Sequence, residues 1–230
     1  MSRILTRPES GEPEISTQEF LVQTATATWD NLPQILVGAL WLNVCLAPAL
    51  VLAFLGLGMP AAVAGVLLAA PGWVALQRFQ MGLVEGRAVP LAVVLTSFRH
   101  FWMRGVRLGV LAVFLPIATW LAGALLTPSG LAVPILIVGL LASLLVGSVL
   151  VLYAVPVLVA YDQDLPAVLR NSAVLPGRHI NNTVGMVALA VLCILATIYI
   201  SSGLMFVLPA LYGMFAANNC RLVIAQEGAA

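Results

Sequence analysis

The stretch SFRHFWMRGVRLG, residues 97–109, sets Arg99, His100, Arg104 and Arg107 among Phe98, Phe101 and Trp102. Basic groups interleaved with aromatics suit a phosphorylated ligand, a nucleic acid or a lipid headgroup. The only other histidine, His179, also follows an arginine, Arg178. Asp162 and Asp164, in YDQD, have a D-x-D spacing that suits either a metal or the cap of a following helix. Capping is the simpler task. No second carboxylate cluster completes a metal site, although Glu85 in another segment could approach. A hydrolase would need Ser97 or Ser172 aligned with a histidine and an orienting acid, and no spacing here fixes that geometry. The two histidines therefore read as groups that pack at an interface or touch headgroups. GxxxxGK[ST], GxGxxG after a strand and HExxH are all missing, so no nucleotide chemistry and no cofactor is expected.

Composition decides between the ligand classes. Of 230 residues, 62% are hydrophobic and 8% charged, against about 25% charged in soluble domains. Such a chain has too little polar surface for a water-soluble globule, so the class is integral membrane protein. The net charge of +1 gives no field to attract nucleic acid. All ten basic residues other than histidine are arginine. Cys45, Cys193 and Cys220 are scattered and read as small packing residues rather than a disulfide or zinc framework.

The elements that must position these groups are helices. Residues 1–15 read as a disordered tail, residues 16–225 as a single transmembrane domain and residues 226–230 as a C-terminal tail. Ser16 with Glu19 fits a capping box that opens an interfacial helix ending near Asp30–Pro33. Apolar runs of spanning length fall at about 35–58, 59–76, 108–126, 134–156, 183–200 and 204–224. The fold class is thus all-α: a polytopic transmembrane bundle of about six spans in three hairpins. The last span is short and could be re-entrant. In residues 77–107, Leu91, Val94, Leu95, Phe98, Phe101 and Trp102 recur at helical spacing, an amphipathic connector helix opened by Pro90. A second connector helix runs from about Leu165 to Val174 before LPG breaks it. Ala88–Val89 and Arg99–His100 recur with the same spacing at Ala167–Val168 and Arg178–His179, a weak sign of duplication.

Apart from Arg221 near the end of the last one, no Asp, Glu, His or Arg lies inside a predicted span, which disfavours proton coupling and intramembrane proteolysis. The polar residues at depth are Asn43, Thr119, Ser143, Ser148, Tyr153, Thr197, Tyr199, Ser201 and Tyr212. Asn43 stands out: a central amide should bond a neighbouring helix, and substrate contact is the alternative.

Several segments resemble the YesL-like family of bacterial integral membrane proteins. WDNLPQILVGALWLNVCLAP, with Leu42, Asn43 and Pro48, resembles the family's opening helix, and PAAVAGVLLAAPGWVALQRF its small-residue second helix. FRHFWMRGVRLGVL resembles the aromatic-basic lead-in to the third, and LPALYGMFAANNCRLVI the closing helix. The most specific match is LYAVPVLVAYDQDLPAVLRNSAVL, with its Y-x-x-P and LRNS. The turn GLGMP departs from the threonine and proline usual in the family's first hairpin. The resemblance implies an inner-membrane protein of unestablished activity, associated with components of ABC-type sugar transporters, and it implies no catalytic residue.

The expected function is that of a non-catalytic membrane protein, accessory or regulatory to solute (sugar) transport. The alternative is a permease-like subunit with a path for a neutral solute past Asn43, Ser143 and Tyr199. A lipid-modifying enzyme using His100, His179, Asp162 and Asp164 ranks last. The expected partners are the bilayer, its anionic headgroups and ABC transporter components. Arg99, His100, Arg104, Arg107, Arg170 and Arg178 are the candidates for headgroup or cytoplasmic contact.

With six crossings every arginine falls on one side, and the tight turns carry no charge. The positive-inside rule makes that side the cytoplasm, with both termini there. A reporter active only outside the cytoplasm is therefore expected to be active when fused at residues 57–60 or 127–130. Cytoplasmic reporting from those turns would overturn this topology.

Overall fold

A computed structural model describes residues 17–87, 89–126 and 132–228, and among them every regular element is a helix. Helix α1 is Thr17–Asp30, and α2, Leu32–Phe54, follows after Asn31 alone. Helices α3, Gly58–Ala64, and α4, Ala70–Val84, are one continuous rod joined by a π-helical turn, Gly65–Ala69. Helix α5 is Ala92–Leu126. Helices α6, Ala132–Val149, and α7, Val155–Tyr161, form a second rod through a π turn at Leu150–Ala154. Helices α8, Leu165–Arg178, α9, Ile180–Tyr199, and α10, Leu208–Gly228, complete the chain.

The outcome is an all-α bundle in which, among the described residues, five helices rather than the expected six are long and apolar enough to cross a membrane; α10 is not one of them. Several details differ from the sequence-based expectation. The first two spans run Leu32–Phe54 and Gly58–Val84, not 35–58 and 59–76. The first connector helix is not a separate element. It continues into the third span as α5, whose 35 residues measure about 52 Å. No helix breaker stronger than glycine lies between Arg104 and Gly109, so nothing stops the helix there. The fourth segment extends to Tyr161 because Pro156 follows a π turn instead of ending the helix. Pro176 likewise lies inside α8, which runs on to Arg178 and breaks at His179. The expected span 204–224 is split: Ser202–Phe206 is a 3-10 turn, and α10 starts only at Leu208. Helix α10 also carries through most of the expected C-terminal tail, to Gly228. The N-terminal tail and Ser16 lie outside the described residues.

Helix α4 is the centre. From Pro71 to Leu83 only Trp73, Arg78 and Gly82 are not fully buried, and the helix packs against α2, α5, α7 and α10. Its neighbours approach through small residues. An added Cβ on Gly105 of α5 would lie 2.7 Å from the Cα of Pro71, and one on Gly109 would lie 2.7 Å from the Cβ of Ala70. Gly105 and Gly109 thus form a small-xxx-small face against the stretch of rod around Pro71. Pro71 has no N–H to offer the carbonyl of Leu67, four residues before it. The indole of Trp102, three residues before Gly105, donates to that carbonyl at 3.1 Å.

Gly105→Ala is expected to destabilise the bundle by about 1–3 kcal/mol, since backbone must move to admit the methyl group. Gly147, with nothing within 4 Å of an added Cβ, is the control. Gly147→Ala should hold or raise the melting temperature in detergent, while Gly105→Ala lowers it.

Candidate functional site

The first polar site lies where α7 ends. Asp162 has a left-handed backbone, φ 49° and ψ 37°, which terminates the helix. Its carboxylate accepts from two donors on α5: Arg104 Nη1 on one oxygen, and His100 Nε2 on the other at 3.1 Å. The ring of Phe101 lies between these donors. It meets the His100 ring edge-on with centroids 4.6 Å apart, and the Arg104 guanidinium sits 6.0 Å from its centroid. The hydrogen bond from Arg104 is the largest influence holding the Asp162 carboxyl below the usual carboxylate range, with that from His100 acting in the same direction.

The sequence reading is corrected on three points here. Asp162 does not cap the following helix but pairs with Arg104 and His100. Asp164 occupies the position before α8, yet its side chain makes no capping bond. Phe101 and Trp102 do not simply lie in an interface: Phe101 is buried and Trp102 serves Leu67. Arg99, Arg107, Arg170 and Arg178 are exposed. His179 stands at the break before α9, where its carbonyl accepts the Thr183 hydroxyl at 2.9 Å. Glu85 pairs with Arg87 at 3.1 Å, and no group of three metal-ligating side chains exists among the described residues.

Two arginines that the sequence did not single out tie helix ends together. Arg78 Nη1 donates to the carbonyl of Val159, in the last turn of α7, at 3.2 Å. Arg221 Nη1 donates to the carbonyl of Val84, the last residue of α4, at 2.8 Å. Last-turn carbonyls have no partner within their own helix and form the negative end of its dipole, so a cation there is favourable.

Deeper in the bundle, Asn43 donates to the carbonyls of Ala39, at 2.7 Å, and Phe206, at 2.8 Å. The second bond satisfies the 3-10 turn before α10. Gln77 and Gln80 of α4 are fully buried. Gln80 donates to the carbonyl of Ala210 at 2.6 Å, and Gln77 to that of Gly213 at 3.3 Å. A Cβ on Gly213 would collide with both amides. Asn218 and Asn219, inside the expected last span, are buried in α10. Asn218 donates to Thr24 of α1 at 2.6 Å, and Asn219 accepts from Asn182 of α9. Tyr153 and Thr183 share a bond of 2.7 Å. The signal for Gln77 and Gln80 was present as i, i+3 spacing in LQRFQMG. Ending the second span at residue 76 hid it.

A cavity of about 330 Å³ opens between α9 and α10, with Trp73 of α4 on its wall. Its hydroxyls are engaged: Thr197 donates to Cys193 at 2.9 Å and Tyr212 to Met186 at 3.5 Å.

No family model matches the chain, and no curated protein or solved structure matches it either.

What this arrangement can do chemically is limited. His100 and Asp162 form a donor–acceptor pair, but Arg104 neutralises the carboxylate, and no nucleophile among the described residues bonds to the imidazole. The pair is an electrostatic clamp between α5 and the turn after α7. Because the folded-state pKa of Asp162 lies below its unfolded value, the clamp stabilises fully above about pH 4 and is lost as pH falls through the folded value. Asp162→Asn should lower the melting temperature at pH 7, and the gap to wild type should close on acidification below about pH 4. A gap that persists unchanged would show that the charge is not what matters.

Proposed function

We propose that this chain is a YesL-like protein of a bacterial inner membrane, with both termini in the cytoplasm, α10 returning the chain as a sixth crossing beside the five helices of spanning length. In this reading it catalyses nothing itself and assists solute (sugar) uptake by contacting ABC transporter components. The carrying observation is the closed interior. The central helix is buried over most of its length, and its two glutamines donate to helix carbonyls. A protein with no polar route through its middle works through its surfaces.

The arginines provide such a surface. Arg99 and Arg107 on α5 and Arg170 and Arg178 on α8 are exposed. They are suited to anionic headgroups, at about 1 kcal/mol for each charge, or to the acidic face of a cytoplasmic partner. The permease alternative finds little support. Asn43 and Ser143 each bond a carbonyl of their own helix, and Tyr199 is 81% exposed near the end of α9. The lipid-modifying alternative has the His100–Asp162 pair but no nucleophile joined to it.

In-cell crosslinking followed by purification in mild detergent is expected to recover transporter subunits with the intact chain. Arg99→Glu combined with Arg170→Glu is expected to reduce that recovery at least severalfold while the protein still inserts. Recovery of the chain alone, together with unchanged sugar uptake on deletion, would refute the accessory role.

A further inference from the structure

The two rods, α3–α4 and α6–α7, share a sequence pattern at the point where each is irregular. Residues 66–75 read VLLAAPGWVA and residues 151–160 read VLYAVPVLVA, so V-L-x-A-x-P-x-x-V-A occurs twice. In both copies the helix passes through a π turn just before the proline, Gly65–Ala69 before Pro71 and Leu150–Ala154 before Pro156. A π turn and a proline each weaken the ladder of helical hydrogen bonds, and they are where helices bend. The surroundings of the two copies differ. Four of the five residues of the second turn are buried, and none of the first.

The first turn also lacks support from the other helix of its hairpin. Gly65 faces Ala49 of α2: an added Cβ would lie 3.9 Å from the Ala49 methyl group. Next to Ala49 is Pro48, which has no N–H for the carbonyl of Val44. Both helices of the hairpin are therefore weakened at one level. On the α4 side of that level α2 is pinned. Trp41 donates to the carbonyl of Gly72 at 3.3 Å, and Asn43 donates to that of Phe206. The Trp102 bond to Leu67 holds the turn itself and gives a fixed pivot. On the other side, residues 49–64 contain no polar side chain, and only Ala61 is buried. Apolar contacts have no preferred direction, so they do not fix the angle of this tip.

We propose that residues 49–64, the tip of the α2–α3 hairpin, form a hinged unit that swings about Pro48 and the π turn while α4 and the helices packed on it stay in place. The second copy of the pattern is the same hinge locked by burial. Met59 lies about 12 Å along the rod from the middle of the turn, so a swing of about 20° carries it about 4 Å. The swing alters one end of the bundle and does not rest on a role in transport.

Distances between pairs of spin labels, measured on the full chain in phosphatidylcholine nanodiscs, test this hinge. Cys193→Ser removes the partly exposed thiol, while Cys45 and Cys220 are buried and stay unlabelled. Labels at Met59→Cys and Arg99→Cys span the first turn. Labels at Leu141→Cys and Arg170→Cys span the second, and all four sites are exposed. The first pair is expected to show two distances about 4 Å apart, or a spread of that size, where the second pair shows one narrow distance. Pro48→Ala, which restores the N–H, should about halve the spread of the first pair and leave the second pair unchanged. The spectral line shape at Met59→Cys should stay that of an ordered helix. A first pair as narrow as the second, a spread that survives Pro48→Ala, or a signal at Met59→Cys typical of unfolded chain would each overturn the hinge.

Discussion

Water cannot reach the middle of a membrane bundle, so a polar group there is either satisfied by protein or left at a cost, as Gln77 Oε1 is. Gln77 and Gln80 impose that constraint most strongly, because they lie on the helix against which α2, α5, α7 and α10 pack. Their amides need carbonyls, and the carbonyls of Ala210 and Gly213 are the ones that come within reach. This fixes α10 against α4 and requires glycine at 213. It also sets where α10 begins, so the chain before it must turn within the membrane. Asn43 then becomes necessary, since it satisfies the Phe206 carbonyl in that turn.

The same solution recurs at one helix interruption and two helix ends. Trp102 takes the carbonyl that Pro71 leaves at Leu67, Arg78 takes that of Val159, and Arg221 takes that of Val84. In each case a long side chain from a different helix donates to a carbonyl lacking its usual partner. A single bond of this kind does two jobs: it removes the cost of an unsatisfied group and it joins two helices. The bundle is held by such ties together with close packing at Gly105 and Gly109.

The sequence revealed the class and most of the helices, because a run of twenty apolar residues has few other fates. It revealed Asn43 as an interhelical donor for the same reason. It misjudged helix ends at Pro156 and Pro176, since a π turn or tertiary packing can carry a helix past a proline. It did not reveal the Asp162 clamp, whose partners lie 58 and 62 residues away in the chain. Local rules favour capping for an aspartate before a helix, and nothing local signals a distant arginine. Nor did it reveal Asn218 and Asn219 as core residues, because their partners, Thr24 and Asn182, lie far away in the chain.

The bond between Gln77 and Gly213 spans 136 residues of sequence. At ribosomal rates of about 5–20 residues per second, α4 waits on the order of ten seconds for α10 to be made. During that interval the future centre of the bundle sits in lipid with two unsatisfied amides. A chain that stops short of α10 keeps its spans but lacks the carbonyls that satisfy Gln77 and Gln80. Thr24 bonding to Asn218 links the first helix described to this final event.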